Sequence, residues 1–371
     1  MRRPLQTSAP VSLCLAGGYQ AVLGLDSIWI AVDRRVHLLL PADDAESEAL
    51  IVLKESDGGL VRVDDPPAEI ERILASVAKG LEAEPEEVRP VRIVLPAGED
   101  GEPWPTELDG LLHAPLAVAA VTAISCLDER AVAASAEDTA EAARRALEAA
   151  SLAALEGECL ACASGGVCKV SPGEDSLVET VSGALGDFVL CLPEADECRP
   201  AYGEVAANAG RVIRELGRSV SVLDLGGPDP DTLFGALQHL ENDLAAPAYA
   251  HIRLCQVQDQ MWNVFDDPLL DQDCFGELLD DQREVCQQYL GFGSATYEEI
   301  ALAAKQAGVR GSTIVHLSAG APTLLCYAAE AAEDVVATLR QHGVRCIRLS
   351  RDAGMELVTS DEPIQEDEED S

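Results

Sequence analysis

The stretch that decides the fold runs Ala9-Pro10-Val11-Ser12-Leu13-Cys14-Leu15-Ala16-Gly17-Gly18-Tyr19-Gln20-Ala21-Val22-Leu23-Gly24-Leu25-Asp26-Ser27-Ile28-Trp29-Ile30-Ala31-Val32-Asp33-Arg34-Arg35. Residues 11–15 form a short run of apolar and β-favouring residues. Gly17-Gly18 then offers a turn, because glycine adopts backbone conformations closed to other residues. Residues 27–32 form a second apolar run that closes on the charged edge Asp33-Arg34-Arg35. The pattern predicts two neighbouring strands with a loop between them, the second continuing through 37–40.

Around this stretch the chain has 371 residues and 47% apolar content, enough for a large core in one big domain or two medium ones. Its formal net charge is −40. Such a field opposes nucleic acid and anionic membrane surfaces, and it opposes nucleotides unless a local cradle offsets it. Lysine occurs only at 54, 79, 169 and 305, so nearly all of the 26 basic residues are arginine. Phosphate-binding lysines are therefore scarce. Met-Arg-Arg-Pro is not followed by an apolar signal segment, and no uninterrupted apolar run reaches membrane-spanning length. A cytoplasmic protein with reduced, mostly buried thiols is expected from its 12 scattered cysteines.

Downstream, residues 50–53 and 60–63 predict strands about a Ser-Asp-Gly-Gly turn. Pro66-Pro67 opens a helix with Ile70, Ile73, Leu74, Val77 and Leu81 on one face. Residues 91–95 predict a strand, 97–110 a loop, and 111–126 a helix apolar all round and therefore buried. Ser135, three residues before Asp138, caps the next helix. Residues 157–173 read as a small-residue loop, and 187–192 as a strand. Helices are predicted over 202–216, 231–240, 249–265, 273–289, 297–307 and 331–342, and strands over 313–317, 324–328 and 344–349. Residues 355–359 are expected to pair with that last strand, and the acidic tail 360–371 has nothing to bury.

Three blocks, in this order, resemble the GHMP superfamily of small-molecule kinases, and its galactokinase branch above all. The first is the opening stretch, where Ala9, Pro10, Leu15, Gly17 and the strand end Ala31-Val32-Asp33-Arg34-Arg35 fit the family pattern. Within it Ser12 stands where the family has arginine, Gly18 and Tyr19 replace its Glu-His pair, and Ala21 sits near its sugar-binding aspartate. The second is Asp109-Gly110-Leu111-Leu112-His113-Ala114, where the family carries a Gly-Leu-Gly-Ser-Ser-Ala phosphate loop. The third comprises Phe275-Gly276-Glu277-Leu278-Leu279, the helix before Gly308, and Ser318-Ala319-Gly320-Ala321-Pro322-Thr323, similar to the family's last glycine loop.

The resemblance implies an α/β (α+β) protein of two-domain GHMP-kinase-like architecture. Residues 8–185 would form a ribosomal S5 domain 2-like half and 186–359 a ferredoxin-like half, followed by a disordered acidic tail over 360–371. It implies ATP and Mg as cofactors if the protein is active. Gly110, Leu112, His113, Ala114, Ser318, Ala319, Gly320 and Ala321 would contact nucleotide phosphate, and Ser12, Gly17, Gly18 and Tyr19 the substrate. Ser164 lies near the position of the family's catalytic aspartate, with Glu174-Asp175 the nearest carboxylates after it and Asp175 the candidate to move in.

Phosphoryl transfer is mainly positioning and charge neutralisation. Losing one charged clamp on the transferred group costs on the order of 3 kcal/mol. With Ser12 in place of arginine, a substitute clamp would have to be an arginine such as Arg34 or Arg35. Phosphotransfer is accordingly expected to be impaired or lost. The alternatives are an active kinase of a sugar or other small alcohol with a non-standard residue set, and a non-enzymatic metabolite-binding or scaffold protein. A small-molecule ligand is the expected partner, with no nucleic acid and no membrane. Three side-chain readings have two sides: His113 as a phosphate or metal contact or a helix-start residue, His251 as a site contact or a packing residue, and Cys159, Cys162 and Cys168 as metal ligands or buried thiols. No fourth ligand has matching spacing, though Cys191 or Cys198 could approach, and no metal site is expected.

Overall fold

A computed structural model describes residues 5–18, 21, 25–40, 50–56, 59–83, 91–98, 102, 104–127, 135–152, 155–171, 177–181, 185–192, 211–212, 214–215, 235, 237–238, 240, 242–267, 270–293, 295–315 and 323–358. In chain order these hold β1 (Leu5–Ala16), β2 (Ser27–Leu40), β3 (Leu50–Ser56), β4 (Gly59–Arg62), α1 (Ala68–Gly80) and β5 (Val91–Leu95). A 3-10 segment (Thr106–Leu112) leads into α2 (His113–Leu127), then α3 (Ala136–Ala149), α4 (Glu156–Ser164), β6 (Val167–Ser171), β7 (Leu177–Val181) and β8 (Asp187–Leu192). The remainder is α5 (Asn242–Asp266), α6 (Gln272–Leu290), α7 (Ala295–Gln306), β9 (Gly311–Val315), β10 (Thr323–Ala329), α8 (Ala332–Gln341), β11 (Arg345–Leu349) and β12 (Glu356–Val358).

Two sheets carry the architecture. The larger is ordered β12-β1-β2-β5-β3-β4, with β6 on the early part of β2 and β7 on β6. The smaller is antiparallel, ordered β11-β8-β10-β9. The expected pair β1 and β2 forms the longest ladder, from Leu5↔Leu40 to Ala16↔Ile28. β3 and β5 run parallel, with α1 in the crossover. The long apolar helix α2 is buried along 114–121 and at Ala123 and Ile124, as its lack of a polar face requires. Thr7 Oγ1 donates to the Ala119 carbonyl at 2.9 Å and pins this helix to β1. One continuous helical stretch, Leu108–Leu127, is long and apolar enough to cross a bilayer, but it lies in the core with 67% of its most apolar window buried.

The smaller sheet is covered on both faces, which explains why β8 reads as a nearly unbroken apolar run rather than an alternating one. Phe188 and Leu190 join the core shared with the larger sheet, whereas Val189 and Cys191 pack beneath α7 and α8. Phe275 of α6 stacks edge-on against Phe188 and Tyr327, with ring centroids 6.4 and 4.9 Å apart. Gln282 of α6 donates to the Leu15 carbonyl at 2.8 Å and to Thr313 Oγ1 at 2.6 Å, joining the end of β1 to β9.

Three local expectations are corrected. Residues 157–173 are not a loop, since α4 and β6 occupy most of them. The second half of the 97–110 loop is helical from Thr106. Residues 356–358 pair with β1 (Gln6↔Val358, Ser8↔Glu356) rather than with β11. Between β11 and β12 the chain forms a strap tied to the charged edge of β2. Asp33 N–H donates to the Ser350 carbonyl, Asp352 N–H to the Ala31 carbonyl, and Gly166 N–H to the Asp352 carbonyl. Arg35 completes it, bonding Asp352 at 2.7 Å, the Gly354 carbonyl at 2.9 Å and Ser8 Oγ at 3.0 Å. A Cβ on Gly165 would overlap Gly354, so the strap requires glycine there, where φ is +75°.

The Arg35 guanidinium is largely buried, at 13% exposure, so its loss leaves Asp352 without its close cation. Arg35→Ala is expected to lower unfolding stability by about 2 kcal/mol or more. Urea titration measures this, and a loss below about 0.5 kcal/mol, the usual size of a surface change, would contradict the role given to the strap.

Candidate functional site

At the end of β1 the chain turns on Gly17, whose φ is +79°, where a Cβ would lie 2.5 Å from the Asp26 carbonyl and 2.8 Å from Gln258 Oε1. Ala21 N–H donates to the Gly17 carbonyl at 2.7 Å. Gln258, on α5, is buried at 2% exposure, and its Nε2 has no hydrogen-bond partner among the described residues. Tyr19, expected in the substrate site, lies outside the described residues, as do Asp175, Ser318, Ala319, Gly320, Ala321 and the tail 360–371.

Ser12 faces inward. Its hydroxyl donates to the Glu158 carbonyl at 3.1 Å and accepts from the Cys162 thiol at 3.5 Å, which ties β1 to α4. Glu158, in the first turn of α4, is only 3% exposed. Its carboxylate adds to the burial that pushes the thiols of Cys14, Cys159 and Cys162 well above the ordinary thiol value. Ser12, which stands where the resemblance places an arginine, thus gives its hydroxyl to the main chain of α4 at Glu158, whereas the resemblance places the catalytic aspartate near Ser164. Ser164 is at the opposite end of α4, against the strap at Gly354. Sequence reading missed Glu158 because 157–163 is buried all round and carries no amphipathic stripe. Gly157 was a usable signal, since a Cβ there would overlap the Trp29 indole.

Gly110, Leu112, His113 and Ala114 do not form an open loop. The 3-10 segment runs into α2 without a break, and His113 N–H donates to the Gly110 carbonyl. The unpaired N–H groups that would attract an anion therefore lie upstream, near Thr106. Leu108, Leu111 and Leu112 are buried at 1%, 4% and 6% exposure. Burying each leucine is worth about 1.5–3 kcal/mol, and an anion at a helix start gains about 2 kcal/mol at most, so the closed form wins. His113 turns toward α1: burial lowers its pKa, and Glu69 and Arg72 are its charged neighbours.

The candidate substitute cations are committed elsewhere. Arg34 Nη2 donates to the Arg348 carbonyl at 2.9 Å, and Arg35 is held in the strap. Lys169 pairs with Asp26 at 3.5 Å and lies 6.0 Å from the Trp262 ring. Cys159, Cys162 and Cys168 are buried, with burial raising the Cys168 pKa to about 12, and no group of three metal-ligating residues forms among the described residues.

No protein-family model matches the sequence, and no curated protein matches it. The structure, however, resembles several solved ones. Lactococcus lactis galactokinase complexed with galactose superposes with TM-score 0.69 at 13% identity, covering 95% of each chain. Methanococcus jannaschii mevalonate kinase gives TM-score 0.61 at 12% identity, over 95% of this chain and 99% of that one. Homoserine kinase from Cytophaga hutchinsonii gives 0.55 at 15%, over 96% and 98%.

His251, on α5, is fully buried, and burial alone lowers its pKa to about 4. A histidine depressed in the fold keeps its stability contribution above the unfolded value of about 6.5 and loses it as pH falls toward 4. Between pH 7 and 4.5 wild type is expected to lose about 2 kcal/mol more than His251→Gln. Urea melts at the two pH values measure the difference, and parallel losses would contradict a buried neutral imidazole. From the two packed sheets, the inward strands and these likenesses across nearly the whole chain, the conclusion is that the protein has a GHMP-kinase-like α/β fold.

Proposed function

We propose that this chain is a GHMP-kinase-fold protein whose phosphotransfer is impaired or lost, and which binds a small-molecule ligand through the retained architecture. One observation carries the reading: the 3-10 segment and α2 form one closed, leucine-lined helix start where a phosphate cradle would be needed. The family's ATP and Mg do not fit the described residues at that point. The N–H of His113 is already used, and Arg34 and Arg35 are held in other contacts. A ligand would meet instead the turn at Gly17 and the orphan amide of Gln258.

A second reading, an active kinase of a sugar or small alcohol, draws on Glu158. A carboxylate buried beside β1 is the group type that accepts a hydroxyl proton.

Thermal melts with 5 mM ATP and Mg, paired with ADP release on galactose, mevalonate and homoserine, separate the two. A nucleotide site of about 0.1 mM affinity would stabilise the fold by about 2 kcal/mol, a shift of several degrees. The expected result is no shift and no ADP. A shift together with ADP release that Glu158→Gln abolishes would overturn the first reading in favour of the second.

A further inference from the structure

Three thiols line up across the smaller sheet. Cys346 of β11 is the register partner of Cys191 of β8, and Cys191 Sγ lies 3.9 Å from Cys326 Sγ of β10. All three are buried in one apolar cluster with Val335, Val336 and Leu339 of α8. In the described ladders no other two cysteines stand opposite each other. The three form no metal-ligating group among the described residues, so the chemistry open to them is pairwise.

Reach decides which pair can close. Register partners in an antiparallel ladder have Cα atoms about 4.5–5.5 Å apart, within the roughly 4.4–6.8 Å that a disulfide spans. Cys326 stands opposite Val189, two residues along the ladder from Cys191. That diagonal spacing is about 7–8 Å, which a disulfide does not bridge without moving the backbone. The sulfur closest to Cys191 therefore sits on the wrong position, and Cys346 is the partner that fits. Cys191 Sγ faces the Val189 carbonyl at 3.9 Å, and Cys346 Sγ faces the Val336 carbonyl at 4.0 Å. Closing the pair takes a change of rotamer and no change of register.

The location gives such a bond a task. β11 is an end strand, and β8 is its one partner among the described strands. It leads directly into the strap, where Ser350 and Asp352 bond the edge of β2. Fraying of β11 would loosen that clasp. We infer that Cys191 and Cys346 form a redox-sensitive disulfide that locks β11 to β8 and so secures the strap. The step is an exchange with a small disulfide such as glutathione disulfide. The two cysteines lose two protons and two electrons and gain one S–S bond, while the S–S bond of the small disulfide breaks and two glutathione thiols leave. The Cys326 contact and burial push the Cys191 thiol well above its ordinary pKa, so the closed fold reacts slowly. The bond forms as the sheet assembles or when β11 frays, and is then sheltered. A reducing milieu leaves the pair open. The inference is independent of whether the chain transfers phosphate.

The test refolds the full chain from reduced, unfolded protein in glutathione buffer, once reducing and once oxidising. Peptide mass spectrometry without reductant reads the linkage, and thermal melts and hydrogen exchange read its consequence. The oxidised sample is expected to hold Cys191 joined to Cys346. It should melt about 5 °C above the reduced one, since the bond closes a loop of about 150 residues. Exchange of the β11 amides should slow at least tenfold on oxidation. Cys346→Ala should remove these effects, and Cys326→Ala should keep them. Oxidised protein with Cys191 still free, or joined to Cys326, would overturn the inference. So would a Cys191–Cys346 bond that leaves β11 exchange unchanged.

Discussion

Arg35 and the strap around it hold the two sheets in one arrangement. β11 belongs to the smaller sheet and β12 to the larger, and only six residues separate them. The chain crosses that gap in fixed register: Asp33, Ala31 and Gly166 supply main-chain partners to 350 and 352, and the Arg35 guanidinium of β2 bonds Ser8 of β1 and Asp352 and Gly354 of the strap. The strap also grips the turn after α4. α4 carries Glu158 at its other end, so the placement of that carboxylate depends on the same clasp. A hydrogen bond to a charged group contributes about 1.5–3 kcal/mol, and Arg35 makes three of 3.0 Å or less at the seam.

The same contacts hold Arg34 and Arg35 at the seam. In a chain this acidic an anionic ligand needs a concentrated local offset, and the described residues around the 9–35 stretch provide none. What they provide is apolar closure, with leucines at the start of α2, thiols held neutral by burial around Glu158, and a serine that spends its hydroxyl on the α4 backbone. The balance of magnitudes favours structure over ligand at each point. The fold is GHMP-kinase-like, and at these points its interior is packed like a core.

Much of that frame was legible from residues. Alternating and continuous apolar runs gave β1, β2, β5 and β8, the all-apolar run gave α2, and Ser135 gave the start of α3, where its hydroxyl accepts from Asp138 N–H at 3.1 Å. The order of three motif blocks gave the architecture. What stayed hidden depended on tertiary partners. α4 is rich in cysteine, alanine and glycine and buried on every side, so no periodicity marked it as a helix. β12 is three residues long, and its pairing with β1 rather than β11 is set by the strap. Gln258 and Gln282 lie on helices whose polar residues look like ordinary surface until β1 and β9 come against them.

The central claim is that the start of α2 is a closed helix that offers no backbone donors to phosphate. Backbone amide chemical shifts of 110–114, recorded with and without millimolar ATP and Mg, test it most directly. The account predicts that the His113 and Ala114 amides stay where they are, with slow hydrogen exchange typical of an internal helical bond. Selective shifts of these amides on adding nucleotide, with fast exchange in its absence, would contradict it.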